Sequence, residues 1–193
     1  MPHVRLSQQP EADAFLSSDP LALLIGMLLD QQVPMERAFA APRALADRLG
    51  AERLSAVAIA EADPEGFAAL FGTPPALHRF PGSMAARVQA LCRALVDSYD
   101  SDAAKLWRDA STGEELRRRL EALPGFGTQK AAIFLALLGK QLGVRPPGWR
   151  EAAGPYGDAD AMRSVADVTG PETLAAVREY KKQSKAAAKA GRS

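Results

Sequence analysis

From Leu21 to Leu29 the chain reads LALLIGMLL, nine residues without a charged or hydrogen-bonding side chain. A helix of this composition is apolar on nearly every face, so it is stable only where other elements surround it. The remainder of the chain must therefore pack around this segment. Asp19 and Pro20 stand where an N-cap and a first-turn proline belong. Pro34 interrupts the run, and ERAFAAPRALADRLG then resumes with Phe39, Leu45 and Leu49 at helical spacing until Gly50 supplies a stop.

Helical periodicity returns in ERLSAVAIA, in PEGFAALFG and in MAARVQALCRALVDSY, where Val88, Leu91, Leu95 and Tyr99 share a face. Glu114 to Ala122 forms an amphipathic helix carrying Arg117, Arg118 and Arg119, and KAAIFLALLGKQLG forms an apolar one. No segment shows the alternation and β-branched enrichment of a strand, and alanine recurs throughout. The fold class is all-α. One helical unit covers 19–180, with an N-terminal segment 1–18 before it and a basic tail 181–193, a solvated helical extension or frayed end, after it. The glycine- and proline-rich stretch 144–162 is loop with at most short helical pieces.

The 193 residues hold 24 basic and 23 acidic side chains, a net charge of +1, so the whole-molecule field attracts a polyanion only weakly and any nucleic-acid face must be local. Arg117, Arg118, Arg119, Lys130 and Lys140, with Lys181, Lys182, Lys185 and Lys189, are the residues from which such a face would be made. Cys92 is the single cysteine, which excludes a disulfide within the chain and a cysteine-held zinc or Fe-S cluster. His3 and His78 have no partners at metal-ligand spacing, so no zinc site is expected, and no Walker lysine spacing supports nucleotide hydrolysis. With no leader pattern and no bilayer-length apolar run, the expectation is a cytoplasmic, nucleoid-associated monomer with no membrane contact and no required cofactor.

The residues that carry chemistry are Leu123, Pro124, Gly125, Phe126, Gly127, Thr128, Gln129, Lys130 and Ala131. Two glycines around one apolar residue let the backbone turn tightly and leave it bare, and the helix that follows presents unpaired amides. A phosphate docked there would meet Gly125, Gly127 and the first helical turn, with Thr128 and Lys130 adding contacts. The alternative is a bare helix corner plugged by Phe126.

L-P-G-F-G-T-x-K-A after an arginine-bearing helix resembles the hairpin of the helix-hairpin-helix DNA glycosylases (the HhH-GPD base excision repair superfamily), whose usual form is L-P-G-aliphatic-G-x-x-x-A. LLIGMLLDQQVP is similar to the family's helix ending in polar residues near the extruded base, and MAARVQALCRAL to its K/R-A-x-x-I/V-x-x-L helix. The resemblance covers roughly Asp19 to Arg178 and implies two helical halves around a cleft, with duplex DNA as partner. It also implies a monovalent cation, Na or K, held by the main-chain carbonyls of Glu121, Leu123 and Phe126. Gln31 and Gln32 would insert into the duplex or contact the orphaned base, or else bond within the protein. Arg145 would contact phosphate, and Trp149 and Tyr156 would stack on an unstacked base or cap a core.

The chain departs from the family where the chemistry is done. The lysine that forms a Schiff base in bifunctional members is replaced by Gln129, whose amide cannot serve as that nucleophile, so no lyase step runs through this position. Lys130 should point about 100° away around the helix. The usual aspartate falls at Gly148, and no carboxylate occurs between Glu121 and Glu151. Three readings stay open: a monofunctional N-glycosylase whose carboxylate comes from elsewhere, a non-catalytic reader of DNA lesions or structure, and a helical protein-interaction module. For the first, Asp30 is the leading candidate, with Asp158 and Asp160 as loop alternatives; pairing with Arg37 would give Asp30 a structural role instead.

Overall fold

In a computed structural model of the chain, residues 3–192 are described. Helices α1 (Pro10–Ser18), α2 (Pro20–Leu29), α3 (Met35–Arg48), α4 (Ala56–Glu61), α5 (Pro64–Gly72) and α6 (Pro81–Tyr99) make one half. The other half holds α7 (Lys105–Arg108), α8 (Gly113–Glu121), α9 (Thr128–Gln141), α10 (Trp149–Ala153), two 3-10 turns at Gly154–Gly157 and Val165–Asp167, and α11 (Pro171–Ala190). There is no strand among the described residues, as an all-α fold requires.

α2 is the axis of the core. Every residue from Leu21 to Leu29 is buried, so a Leu24→Ala or Leu28→Ala truncation there would cost about 2–5 kcal/mol. The predicted cap forms: Asp19 Oδ1 accepts from the Leu21 and Ala22 amides at 3.0 and 3.3 Å, while Oδ2 accepts from the Leu54 amide at 3.0 Å. One carboxylate thus starts α2 and anchors the loop before α4. Gly26 lets α3 come close, since a Cβ there would lie 2.6 Å from the Phe39 ring.

Two predicted boundaries are corrected. The segment 1–18 is not an appendage: Val4, Leu6, Phe15 and Leu16 are in the core, and α1 packs on α3. The predicted boundary at 180/181 falls inside α11, which continues unbroken to Ala190. Met1, Pro2 and Ser193, at the extremes of those two segments, lie outside the described residues. No single helix among the described residues is long and apolar enough to cross a membrane.

Candidate functional site

The hairpin joins α8 to α9 and is pressed onto the end of α2. Gly125 has φ +83°, and a Cβ there would lie 2.3 Å from Leu28 Cδ1, so both conformation and contact call for glycine. Phe126 is the plug: its buried ring stands edge-on to Phe134 at 6.0 Å. Its side chain is therefore unavailable to DNA, and only its backbone can take part. Gly127 differs, because nothing lies within 4 Å of where its Cβ would be. It is the N-cap of α9 without a side-chain cap, and the amides of Gly127, Thr128 and Gln129 have no hydrogen-bond partner among the described residues. Bare donors at a helix N-terminus facing open space are the arrangement an anion would need.

Beside it, between the end of α2, the start of α9 and the flank of α11, lies a cleft of about 780 Å³. Met27, Asp30, Gln129, Lys130, Ile133, Tyr156, Arg163, Tyr180, Lys181, Lys182 and Lys185 are among its lining residues. Among the described residues, Asp30 is the only carboxylate in that lining. Its pKa is raised from 3.8, because packing around the carboxylate strips its hydration, while Lys181 and Lys130 pull it back and Glu36 adds to the rise. Arg37, the partner considered for it, donates instead to the Ala76 carbonyl at 2.7 Å. Asp158 and Asp160 are exposed and do not line the cleft.

Lys130 is the main correction at the hairpin. Rather than reaching for a phosphate, its Nζ turns to α2 and donates to the carbonyls of Met27, Leu28 and Asp30 at 2.8, 3.1 and 3.4 Å. It closes the C-terminal end of the central helix, where a cation also meets the negative end of the helix dipole. Burial lowers its pKa from 10.5 to about 8, with Asp30 opposing the drop and Arg87 adding to it. Gln129 faces the cleft, and its amide donates to the Tyr156 hydroxyl at 2.9 Å.

Beyond Asp30 the two glutamines part. Gln31 is tied into the protein: Nε2 donates to the Leu28 carbonyl at 2.8 Å and Oε1 accepts from Arg87 at 2.9 Å. Gln32 is exposed with φ +56°. His78, buried beneath them, accepts the Phe80 amide at Nδ1 (3.0 Å), so the proton sits on Nε2 and is donated to the Gln31 carbonyl at 2.9 Å. Burial holds its pKa below 6.5 and keeps the ring neutral. This clasp sets Phe80, 43% exposed, beside the Gln31–Gln32 turn, a neighbour that the sequence reading missed.

The segment expected to complete the site lies elsewhere. Trp149 is only 8% exposed, and its ring occupies the place where a Cβ of Gly139 would be, at 2.3 Å. Arg145 Nε donates to the Gly139 carbonyl at 2.9 Å. Gly139 is ten residues beyond Gln129, about 15 Å along α9, so Arg145, Gly148 and Trp149 belong to the far end of that helix. Gly148, at φ +75°, caps α10 there. The predicted basic surface shrinks likewise. Arg117 pairs with Glu121 and donates to the Ala152 carbonyl, Arg119 pairs with Glu115 and donates to the carbonyls of Leu106 and Asp109 at the end of α7, and Lys140 pairs with buried Asp167.

A bare helix N-terminus reached through a glycine hairpin and opening onto a cleft is the arrangement of a helix-hairpin-helix protein. A family model described as HhH-GPD superfamily base excision DNA repair protein matches residues 25–189, and the chain belongs to that superfamily. DNA is accordingly its partner, and base excision repair its class of function. No curated protein and no solved structure matches the chain.

Proposed function

We propose that the protein holds duplex DNA at the hairpin 123–130, draws one nucleotide into the cleft, and hydrolyses its N-glycosidic bond with Asp30 as the working carboxylate. The observation that carries this reading is that, among the described residues, Asp30 is the sole acid lining the cleft and its carboxylate has no hydrogen-bond or ion-pair partner. As the bond from C1′ to the base nitrogen breaks, the base leaves with the electron pair and takes up a proton from solvent. The sugar becomes cationic at C1′, a charge that an ionised carboxylate in a water-poor cleft stabilises, and water adds there as Asp30 accepts its proton. Gln32 and Phe80, both exposed near the end of α2, are the side chains that would fill the stack the nucleotide vacates, and Tyr156 lines the cleft as an aromatic neighbour for the base. Gln129, an amide in the lyase position, leaves the reaction at base release.

The cation implied by the family resemblance finds suitable donors. The carbonyls of Glu121 and Phe126 accept no hydrogen bond and that of Leu123 accepts only the Phe126 amide, at 3.1 Å. Neutral oxygens of this kind suit a monovalent ion, which would add positive charge beside the bare amides.

A second reading, binding without catalysis, is favoured by the ammonium groups of Lys181 and Lys130 that bear on Asp30. Labelled duplexes carrying uracil, an alkylated purine, oxidised guanine or an abasic analogue separate the two. The expected result is release of at least one base under single-turnover conditions, abolished in Asp30→Asn while binding persists, with a rate that rises with pH as Asp30 ionises above its usual range. Binding of the abasic analogue with no base released from any duplex would instead establish a lesion reader.

A further inference from the structure

The packing of α11 ends early. Leu174 and Val177 are its buried residues, and every residue from Arg178 to Ala190 is exposed. Apart from the Arg178–Glu36 ion pair and the Arg163 guanidinium over the Tyr180 ring, that stretch makes no packing contact with a buried side chain of its own, and alanine, lysine and glutamine, strong helix formers, favour its helix. Its charges are not scattered. At 100° per residue, Arg178, Lys181, Lys182, Lys185 and Lys189 fall within one arc of about 100°, and Glu179, the only acid in the segment, falls outside it. With Arg192 counted, residues 178–192 carry six bases against that one acid, a net of +5 on a chain of +1, which leaves the rest of the molecule at −4.

This stripe is also unspent. Arg178 pairs with Glu36, but Lys181, Lys182, Lys185 and Lys189 have no hydrogen-bond or ion-pair partner among the described residues, whereas Arg117, Arg119, Lys130 and Lys140 are consumed inside the fold. It is also aimed. Lys181, Lys182 and Lys185 line the cleft together with Gln129, the second residue of the hairpin's helix, and Lys181 bears on Asp30.

We infer that the basic stripe of α11 is a second phosphate-binding wall, which takes the sugar-phosphate backbone of a DNA strand on the side of the cleft opposite the hairpin. This rests on the hairpin's reading as a DNA contact. From Lys181 to Lys189 the stripe spans about 12 Å, the axial rise of about three phosphates on one strand. The hairpin supplies neutral amides to one backbone position, and α11 supplies the counter-charge that the net-negative remainder of the molecule lacks. The strand is thereby held on both sides of the nucleotide entering the cleft.

The test uses the full chain and a labelled duplex with an abasic analogue, titrated across salt concentrations. Lys182→Gln, Lys185→Gln and Lys189→Gln combined keep helix propensity and touch no packed side chain, so an unchanged Tm serves as the folding control. The triple variant should bind about tenfold or more weakly at ~0.1 M salt, with the slope of log Kd against log salt reduced by about 2–3. The corresponding arginine triple should bind as the wild type does. If the glutamine triple keeps the wild-type affinity and slope while Gly127→Ala is weakened, the wall is overturned and the hairpin reading stands. If the wild type itself fails to bind duplex at low salt, the hairpin reading falls and this inference falls with it.

Discussion

The two ends of α9 use the same residue type for opposite purposes. At its start, Gly127 keeps the backbone bare toward open space, with unpaired amides behind it. At its end, Gly139 makes room for the Trp149 ring, and nothing external can approach. One glycine is kept free for a partner and the other is filled from within. The unused donors of this helix are therefore at its start, and the arginine and tryptophan expected to join them instead close the other end.

Filling the closed end should break the contrast most severely. Gly139→Val puts a Cβ 2.3 Å from the Trp149 ring, and the ring, sandwiched against α9, cannot yield without opening the core. The expected loss is about 3 kcal/mol in urea denaturation, with protein that remains folded still binding DNA.

A smaller effect sharpens the comparison at the open end. Lys130→Met removes the ammonium shared by the Met27, Leu28 and Asp30 carbonyls, of which Met27 keeps the Asp30 amide and Leu28 keeps Gln31 Nε2, and should cost about 1 kcal/mol at neutral pH. The pH dependence gives the sign. With a folded pKa of about 8 against 10.5 for a free lysine, the folded state sheds its proton first. The Lys130 contribution to wild-type stability should therefore increase as pH rises from about 8 toward 10.5, an increase that the methionine variant lacks. A parallel pH profile in both proteins would mean that the Lys130 ammonium is solvated rather than buried against α2.

How much of this was legible in the sequence follows from the range of each cause. The all-apolar composition of α2, the Asp19 cap and the hairpin are local patterns, and they appear as read. α1 was missed because its N-cap position is Gln9, which makes no side-chain cap, and the remaining start signals, Pro10 with Glu11 and Asp13 in the first turn, precede only nine helical residues. α11 was legible as a helix, but its extension was set aside as a tail once the apolar residues ran out; the same residues placed on a helical wheel carry the stripe. Long-range packing was the harder part. Trp149 and Tyr156 come from one loop, yet one enters the core because Gly139 admits it while the other meets Gln129 in the cleft. Helical phase gave the direction in which Lys130 leaves α9, but not that four methylenes would carry its ammonium to the end of α2. Nor could composition show that Asp30 would be left without a partner while Arg37 turned to a loop carbonyl.

The central claim, that DNA meets the open end of α9 and not the closed one, is tested most directly by amide NMR on the uniformly labelled protein as duplex with an abasic analogue is added. The account predicts large shifts and slowed hydrogen exchange at Gly125, Gly127, Thr128 and Gln129, with the amides of Gly139, Arg145 and Trp149 unmoved. Shifts concentrated at Arg145 and Trp149, with a silent hairpin, would contradict it.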